Sequence, residues 1–355
     1  MGGTAAPEGG LKAPSRPGAE VVLRVGIAAE PTRLDPHDAS DAPSSVVNFH
    51  IYDRLVELDE NMQPQPSLAT NWSRNETGDV WRLSLRRGVV FHDGTALDAR
   101  AVKESFDRLL DPELGLARRS LIAGFLKEVV VIDPLTVEFR LLHPVAPFLK
   151  VLAHDSLAIV GPSAGGPESF TPVGTGPFYL REWTPGTRLV LEAFPEHWRG
   201  APAVDRIVFL SLPAASSRAI MLQAGEIDVA YPVEAAHVES LRNTPGVAVE
   251  TTETHRLVYL ALNTRRPPFD DSRARVAVSR AIDREGIARH VLFGLATPAY
   301  QPLAPGTWGY SPVCAPSFDP AGAKEAIESL TDPTRRRLSL WGPQGRYPQD
   351  RAVAQ

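Results

Sequence analysis

Cysteine is nearly absent from this sequence of 355 residues, in which Cys314 is the only one. A disulfide needs two thiols and a cysteine-based zinc cluster needs several, so one cysteine excludes both. Uninterrupted apolar runs of about 18 residues, the minimum for a membrane-spanning helix, are also missing. The sequence is therefore neither a disulfide-rich scaffold nor a chain of membrane-spanning helices.

A strong charge of one sign is also lacking. Lysine and arginine total 37 against 42 acidic residues, which gives a net charge of -5 at pH 7. A nucleic-acid binder is usually basic, and an anionic membrane attracts basic surfaces, so neither partner is expected. The 43% hydrophobic content is typical of a globular protein, and the length suggests two or three domains.

The two ends of the sequence are unlike the rest. Residues 1–19 are rich in glycine and proline, which predicts a flexible tether, and they lack the basic and apolar regions of a secretory signal peptide. Near the other end we expect a helix from Asp319-Pro320 to Leu330 and a strand at Leu338–Trp341. Another helix starts after Pro348 and stops at Gln355, too short to be stable alone. This pattern favours a truncated chain, and a frayed tail is the alternative.

Two patterns could indicate chemistry. Gly161-Pro162-Ser163-Ala164-Gly165 matches the nucleophile-elbow motif, but Gly166-Pro167 follows where a helix must begin. His92-Asp93 precedes Gly94, which is typical of a hairpin corner rather than of a metal pair. The nine histidines contain no H-E-x-x-H motif. The sequence therefore predicts no enzyme activity, no catalytic residue, no metal site and no cofactor.

Strand and helix patterns alternate after Val173, which predicts an α/β fold class. The predicted helices are Ser44–Arg54 capped by Ser44, Ala99–Leu110 capped by Asp98, 271–282 capped by Asp271, and 283–294 capped by Asp283. The predicted strands that matter most are Val21–Ala28, Val89–Phe91, Ile207–Leu212, Ile227–Tyr231, Val247–Thr251 and His255–Asn263.

Six runs occur in an order that is specific when they are taken together. They are Ile51–Asp59, Trp81–Thr95, Val173-Gly174-Thr175-Gly176-Pro177-Phe178, Gly225-Glu226-Ile227-Asp228, Pro267-Pro268-Phe269-Asp270-Asp271 and Ala281-Ile282-Asp283-Arg284-Glu285. In this order they resemble the family 5 solute-binding proteins of bacterial ABC importers, the peptide- and nickel-binding group. The resemblance extends over residues 21 to 355.

The resemblance implies a type II periplasmic binding protein fold, in which two α/β lobes meet at a hinge and one carries an inserted α+β lobe. The implied division is a tether at 1–19, a first lobe at 20–60 and 172–262, an inserted lobe at 61–171, and an incomplete second main lobe at 263–355. His255–Asn263 would be the hinge strand.

The implied function is the extracytoplasmic solute-binding component of an ABC importer, at the periplasmic or extracellular face of the membrane. Such a protein, expected to be a monomer, closes around a small solute, here a short peptide or similar molecule, and delivers it to membrane permease subunits. No nucleic acid is involved. The alternative is a truncated or degenerate binding or sensory module without a transport function.

Two groups of ligand-binding candidates follow the expected strands. Ser40, Asp41 and Ala42 follow the Leu34-Asp35-Pro36-His37 run, where their backbone could pair with an extended ligand, and a solvated loop is the alternative. Tyr231 ends a strand at the carboxyl edge of a sheet, where ligands bind in α/β proteins. A packed tyrosine is the other interpretation.

The remaining candidates lie elsewhere in the chain. Tyr259 and Asn263 are on the expected hinge strand and could instead be purely structural. Arg118 and Arg119 follow the helix of the inserted lobe, where a guanidinium could pair with a ligand carboxylate in a bidentate way. A solvated surface pair is the alternative for these two arginines.

Overall fold

The computed structural model describes residues 20–307, 309–312, 317–330, 339–342 and 349–355. The strands in these ranges are β1 (Val22–Ile27), β2 (Val56–Leu58), β3 (Pro64–Pro66), β4 (Ala69–Arg74), β5 (Val80–Leu85), β6 (Leu126–Asp133), β7 (Thr136–Leu141), β8 (Phe178–Thr184), β9 (Arg188–Ala193), β10 (Arg206–Ser211) and β11 (Val229–Tyr231). The helices are α1 (Ala42–Ile51), α2 (Ala99–Leu110), α3 (Phe148–Leu152), α4 (Ala215–Gln223), α5 (Ala235–Arg242), α6 (Ser272–Ala281), α7 (Arg284–Gly286), α8 (Pro320–Leu330) and α9 (Asp350–Ala354).

A five-stranded sheet in the order β11-β1-β10-β9-β8 contains the first strand of the described chain. Strand β1 lies between β10 and β11 and is parallel to both. Val25 and Ile27 are buried in the same core as Val47 of α1, whereas Gly26 points to the other face, towards Arg218 of α4. Helices α1 and α4 therefore cover opposite faces of β1.

A second, antiparallel sheet of four strands has the order β4-β5-β7-β6. Burial alternates along β5, where Trp81 and Leu83 are buried and Arg82 is exposed, so one face is covered and the other is open to solvent. Helix α2 covers the buried face, and Phe106 meets Phe139 edge to face at 5.0 Å. The buried side chains of both sheets form one continuous hydrophobic cluster.

Two predicted caps have different outcomes. Asp98 accepts hydrogen bonds from the backbone nitrogens of Arg100 and Ala101, both at 2.9 Å, and α2 spans the predicted residues. The prediction that Ser44 caps α1 is wrong, because Asp41 is the cap and accepts from the Ser44 nitrogen at 2.9 Å. The helix begins earlier because Pro43 fits its first turn and Asp41 has the extended backbone of an N-cap.

Two predicted strands, Val247–Thr251 and His255–Asn263, are not strands in the structure. A strand is stabilised by a neighbour, and no described residue range pairs with either segment. Val89–Phe91 is reduced to a single bridge between Val90 and Ala96. The prediction at Leu338–Trp341 lies partly outside the described residues, and residues 339–341 are not a strand.

The helices after residue 270 follow the predictions more closely. Asp271 caps α6, and α8 spans the predicted range up to Leu330. The helix predicted at 283–294 consists of α7 followed by a π-helical turn at Ile287–Val291. Helices α6 and α8 enclose a groove of about 340 Å³. Among the described residues no helix combines the length and the hydropathy needed to cross a bilayer.

Candidate functional site

The carboxyl edge of the five-stranded sheet carries the 28–41 loop, which leaves β1 directly. Ile27 at the end of β1 is paired with Tyr231 at the end of β11, so this loop and Tyr231 share one edge of the sheet. The helices that follow β1 and β10 lie on opposite faces. Such a divergence opens a crevice outside the strand ends, which is where α/β proteins bind ligands.

The first half of the loop is held by a buried ion pair. The Arg108 guanidinium of α2 donates to both carboxylate oxygens of Asp35, at 2.5 and 3.2 Å. The same guanidinium donates to Nδ1 of His37 at 3.0 Å, and Nε2 of His37 contacts the Ala158 carbonyl oxygen at 3.1 Å. Because arginine only donates, His37 is a neutral ring with its proton on Nε2.

Burial lowers the pKa of His37 from its usual 6.5 to about 4, with the Arg108 charge acting in the same direction and Asp35 opposing it. The imidazole therefore stays neutral at neutral pH, and its Nδ1 remains an acceptor for Arg108. This part of the loop is a fixed platform rather than a flexible connection.

The second half of the loop is held from the segment that follows α2. The Arg118 nitrogen donates to the His37 carbonyl at 3.1 Å, and Nε of Arg118 donates to the Ala39 carbonyl at 2.6 Å. The Ala117 nitrogen donates to the Asp38 carboxylate at 3.1 Å. The segment after α2, the helix that covers the four-stranded sheet, is therefore joined to residues 37–39 of the loop that follows β1.

The predicted triplet Ser40, Asp41 and Ala42 lies at the end of this loop. Ser40 and Ala42 are exposed. Partial burial would raise the pKa of Asp41, but hydrogen bonds from Thr32 and Ser44 outweigh it and keep that pKa below its usual value. The Asp41 carboxylate also accepts from the Ser44 hydroxyl at 2.8 Å. Asp41 is thus already occupied as a helix cap.

The other predicted residues are spread more widely. Tyr231 is 53% exposed at the sheet edge, and Tyr259 is 81% exposed on an irregular segment. Asn263 accepts a hydrogen bond from the Arg265 nitrogen at 3.1 Å, as part of a turn. Arg119 donates from Nε to the Leu110 carbonyl at 2.8 Å, at the end of α2. The structure thus joins Arg118, but not Arg119, to His37 and Ala39, which precede the Ser40–Ala42 triplet.

Three of the six sequence runs meet at one buried junction. The Gly176 nitrogen donates to the Ile51 carbonyl at 2.9 Å. His92 donates from its backbone nitrogen to the Gly174 carbonyl at 2.9 Å, and its Nε2 contacts the Gly176 carbonyl at 2.9 Å. A Cβ on Gly174 would lie 2.1 Å from the Ile51 carbonyl oxygen, so no larger residue fits there.

Asp53 is the polar centre of the same junction, and sequence reasoning missed it. Its carboxylate accepts from the Thr175 hydroxyl at 2.9 Å and from Trp198 Nε1 at 2.8 Å. His197 Nε2 lies 3.6 Å from the same oxygen. The spacing of these residues along the chain gave no signal, since more than 100 positions separate Asp53 from Thr175. The junction is structural, and it is linked to the 28–41 loop through Tyr52, whose hydroxyl donates to the Leu34 carbonyl at 2.9 Å.

The Gly225–Asp228 run has a structural role too. The Arg24 side chain of β1 donates from Nε and Nη2 to the Asp228 carboxylate, both at 2.9 Å, and from Nη2 to the Gly225 carbonyl at 2.9 Å. These hydrogen bonds from Arg24 lower the pKa of Asp228. The contact fixes the segment that leads into β11 and so places Tyr231.

The two patterns that could indicate chemistry have structural partners. The Ser163 hydroxyl donates to the Asp93 carboxylate, which also accepts from the Thr95 nitrogen at 3.0 Å. Gly94 has a φ of 82° at this hairpin corner. Within the described residues no histidine hydrogen-bonds Ser163, and no group of three or more His, Cys, Asp or Glu is arranged to hold a metal ion.

Two solved structures that resemble this chain are peptide-bound binding proteins. The periplasmic binding protein DppA from Helicobacter pylori, solved with the peptide STSA, matches with a TM-score of 0.78 at 27% identity and covers 87% of this chain and 65% of its own. The oligopeptide-binding protein AppA from Bacillus subtilis, solved with a nonapeptide, matches at 0.76 and 26% identity, over 89% and 66% of the two chains. The fold class is therefore the α/β architecture of periplasmic binding proteins.

The sequence comparisons identify the family. The model of bacterial extracellular solute-binding proteins, family 5 Middle, matches residues 63–335, so the chain belongs to this family. The glutathione-binding protein GsiB from Salmonella paratyphi A is 33% identical over 328 residues, which are 91% of this chain. The chain spans 63% of the length of that relative. These relatives are solute-binding transport proteins rather than enzymes.

Proposed function

We propose that this chain is the solute-binding component of a bacterial ABC importer, that it acts outside the cytoplasm, and that it performs no catalysis. Its solute is a short peptide or a similar small molecule, which it delivers to membrane permease subunits. The observation that carries this proposal is the divergence of α1 and α4 to opposite faces at the carboxyl edge of the five-stranded sheet, where α/β proteins bind ligands in a crevice. At this edge the exposed Tyr231 lies beside the end of β1, from which the 28–41 loop leaves. The chain also belongs to a family of solute-binding proteins.

The rigidity of the loop supports this function. A loop that is already ordered loses little conformational entropy when a ligand binds, so more of the contact energy appears as affinity. The buried contacts of Asp35, His37 and Arg118 provide this order without using the exposed Ser40. The exposed Ser40 is then the residue whose backbone can pair with an extended solute, since the Asp41 carbonyl already accepts from the Ser45 nitrogen at 3.2 Å.

The names of the relatives support the solute class. GsiB is a glutathione-binding protein, and the DppA and AppA structures contain peptides. Glutathione is itself a peptide, so these ligands share an amide backbone with charged ends. A crevice that pairs with backbone groups and leaves side chains in wet pockets accepts such a class with little sequence preference.

We further propose the division 20–60 with 172–262, 61–171, and 263–355 as first, inserted and second main lobes. The membership of the two sheets supports the first two units, since the five-stranded sheet combines β1 with β8 to β11 and the four-stranded sheet uses β4 to β7 alone. Tyr259 and Asn263 would then lie where the chain passes from one main lobe to the next. We propose that the protein is a monomer.

Thermal unfolding tests the proposed function. The purified full chain is melted alone and with reduced glutathione, Ser-Thr-Ser-Ala or Met-Leu, because a solute that binds only the folded form stabilises it by about 2.7 kcal/mol at a hundredfold excess over Kd. We expect at least one of these solutes to raise the Tm, and Tyr231→Ala to reduce that rise. Tyr310→Ala is the control, because Tyr310 is exposed far from β11 in sequence. No change in Tm with any solute would refute the proposal.

A further inference from the structure

The Arg118 side chain is a cation held against the loop that follows β1. Its Nε is held by the Ala39 carbonyl at 2.6 Å, and its backbone nitrogen is held by the His37 carbonyl at 3.1 Å. Within the described part of the chain its two Nη atoms have no hydrogen-bond partner. A guanidinium bound only through Nε still presents both Nη atoms side by side, which is the geometry that a carboxylate accepts.

The acidic side chains of the loop are already occupied by other groups. Asp35 is paired with Arg108, and Asp38 with Arg33 at 2.5 Å. Asp41 accepts from Thr32 and from Ser44 as the cap of α1. Glu30, the remaining acid of the 28–41 loop, accepts from the Gly186 nitrogen at 2.8 Å. Within the described residues no carboxylate forms a salt bridge with Arg118, so its outer edge is available to a charged group of a bound solute.

The start of α1 does not offer a competing anion site. A helix N-terminus attracts anions because its first backbone N–H groups lack partners. Here the Asp41 carboxylate occupies that position and accepts from the Ser44 nitrogen at 2.9 Å. An anionic group that approaches residues 40–42 meets a negative charge at the helix. The Arg33 guanidinium of the loop is already paired with Asp38, whereas Arg118 forms no salt bridge within the described residues.

We propose that Arg118 binds a carboxylate of the solute, so that the chain selects solutes with a free carboxylate next to the 39–42 loop. This inference rests on the proposed function and adds the chemical group that the site recognises. Arg119 is not assigned the role, because its side chain is held at the end of α2 by the Leu110 carbonyl and, within the described residues, makes no hydrogen bond to the loop after β1. The neighbouring arginine is therefore a matched control.

The experiment compares each solute with its amide. Calorimetric titration of the full chain uses Ser-Thr-Ser-Ala and reduced glutathione as free acids, and the same molecules with an amide in place of every carboxylate, which means both carboxylates of glutathione. A hydrogen bond to a charged group contributes about 1.5–3 kcal/mol, so the acid should bind about 10- to 100-fold more tightly than the amide. Arg118→Gln should abolish this ratio, and Arg119→Gln should leave it unchanged.

The ratio separates recognition from loop order. If Arg118→Gln only loosened the loop, the affinities for acid and amide would fall together and the ratio would persist, which would overturn the proposal. Equal affinities in the unmodified protein would overturn it as well, while the proposed function would stand. If the unmodified protein bound neither form of either solute, both proposals would fail.

Discussion

Arg108 is the residue that connects helix α2 to the loop after β1. Its side chain is only 13% exposed, and that of Asp35 is 6% exposed, so their ion pair is largely removed from water. Taking two charges out of water is costly, and hydrogen bonds to both carboxylate oxygens offset much of that cost. The main effect of the pair is on the conformation of the loop. Any other loop conformation would leave one of the two charges buried without its partner.

Replacing Arg108 therefore has a large expected effect. Arg108→Ala leaves the Asp35 carboxylate buried without its partner, which should lower the free energy of unfolding by about 3–5 kcal/mol. Urea denaturation measures this value. Lys103→Ala on the same helix is the control, since Lys103 and Asp107 form an exposed pair whose loss should cost at most about 1 kcal/mol. Similar losses in both variants would contradict this account of the ion pair.

The buried ring of His37 should make the free energy of unfolding of the protein depend on pH. The pKa of His37 is about 4 in the folded protein, against 6.5 when the ring is free in water. Between these values the unfolded chain binds more protons than the folded one, so acid favours unfolding. The contribution of His37 is complete above pH 6.5 and is lost as the pH falls towards 4, by ~3 kcal/mol in total.

A substitution isolates this residue from the other histidines. His37→Gln keeps an N–H group for the Ala158 carbonyl and cannot titrate. Urea midpoints measured from pH 7.5 to 4.5 should fall less steeply for the variant than for the unmodified protein. Burial also lowers the pKa values of His50 and His92, but their effect is common to both proteins and cancels. Equal slopes would show that His37 does not contribute.

At the scale of elements, local signals predicted helices better than strands. Asp98 identified the start of α2, because capping is a contact between near neighbours. Ser44 was the wrong cap, since Asp41 and Pro43 form an equally good local start and only the packed structure shows which one is used. The pattern at His255–Asn263 was typical of a strand, yet pairing depends on a partner that the pattern does not contain.

Close packing at the buried junction explains why the Val173–Phe178 run contains glycine at position 174. Gly174→Ala places a Cβ 2.1 Å from the Ile51 carbonyl oxygen, in a position where backbone would have to move. We expect a loss of more than about 4 kcal/mol or failure to fold, measured by urea denaturation or by soluble yield. Gly124→Ala is the control, because a Cβ there meets nothing within 4 Å. A mild effect at Gly174 would refute the close-packed junction.

At the scale of the whole molecule, the family and the fold class were predictable, and the contacts of the site were not. The six runs identified the family, although three of them belong to the junction around Asp53 and none contributes the Arg118 contact. The proposed site combines residues from β1, α1, β11 and the segment after α2. Only folding brings positions so distant in the chain together, and a single sequence does not record those distances.

Stability should also be distributed unevenly over the molecule. Strand β1 pairs with β10 along its whole length and with β11 over Val25–Ile27, and Val25 and Ile27 lie in the continuous core. Residues 248–262 belong to no strand or helix. Hydrogen exchange followed by mass spectrometry should show exchange of the 248–262 amides within seconds and strong protection of β1. Slow exchange at 248–262 would mean that this segment is paired, as its alternating sequence suggested.

Trp198 gives the protein a built-in optical signal. Its indole nitrogen is bound to Asp53, and the guanidinium groups of Arg86 and Arg199 lie over its ring at 4.3 and 4.4 Å from the centroid. Indole emission responds strongly to nearby charge because its excited state has a larger dipole than its ground state. Two cations at the ring and an anion at the nitrogen should shift the emission maximum of this tryptophan. Its fluorescence can therefore follow the assembly of the junction without an added dye.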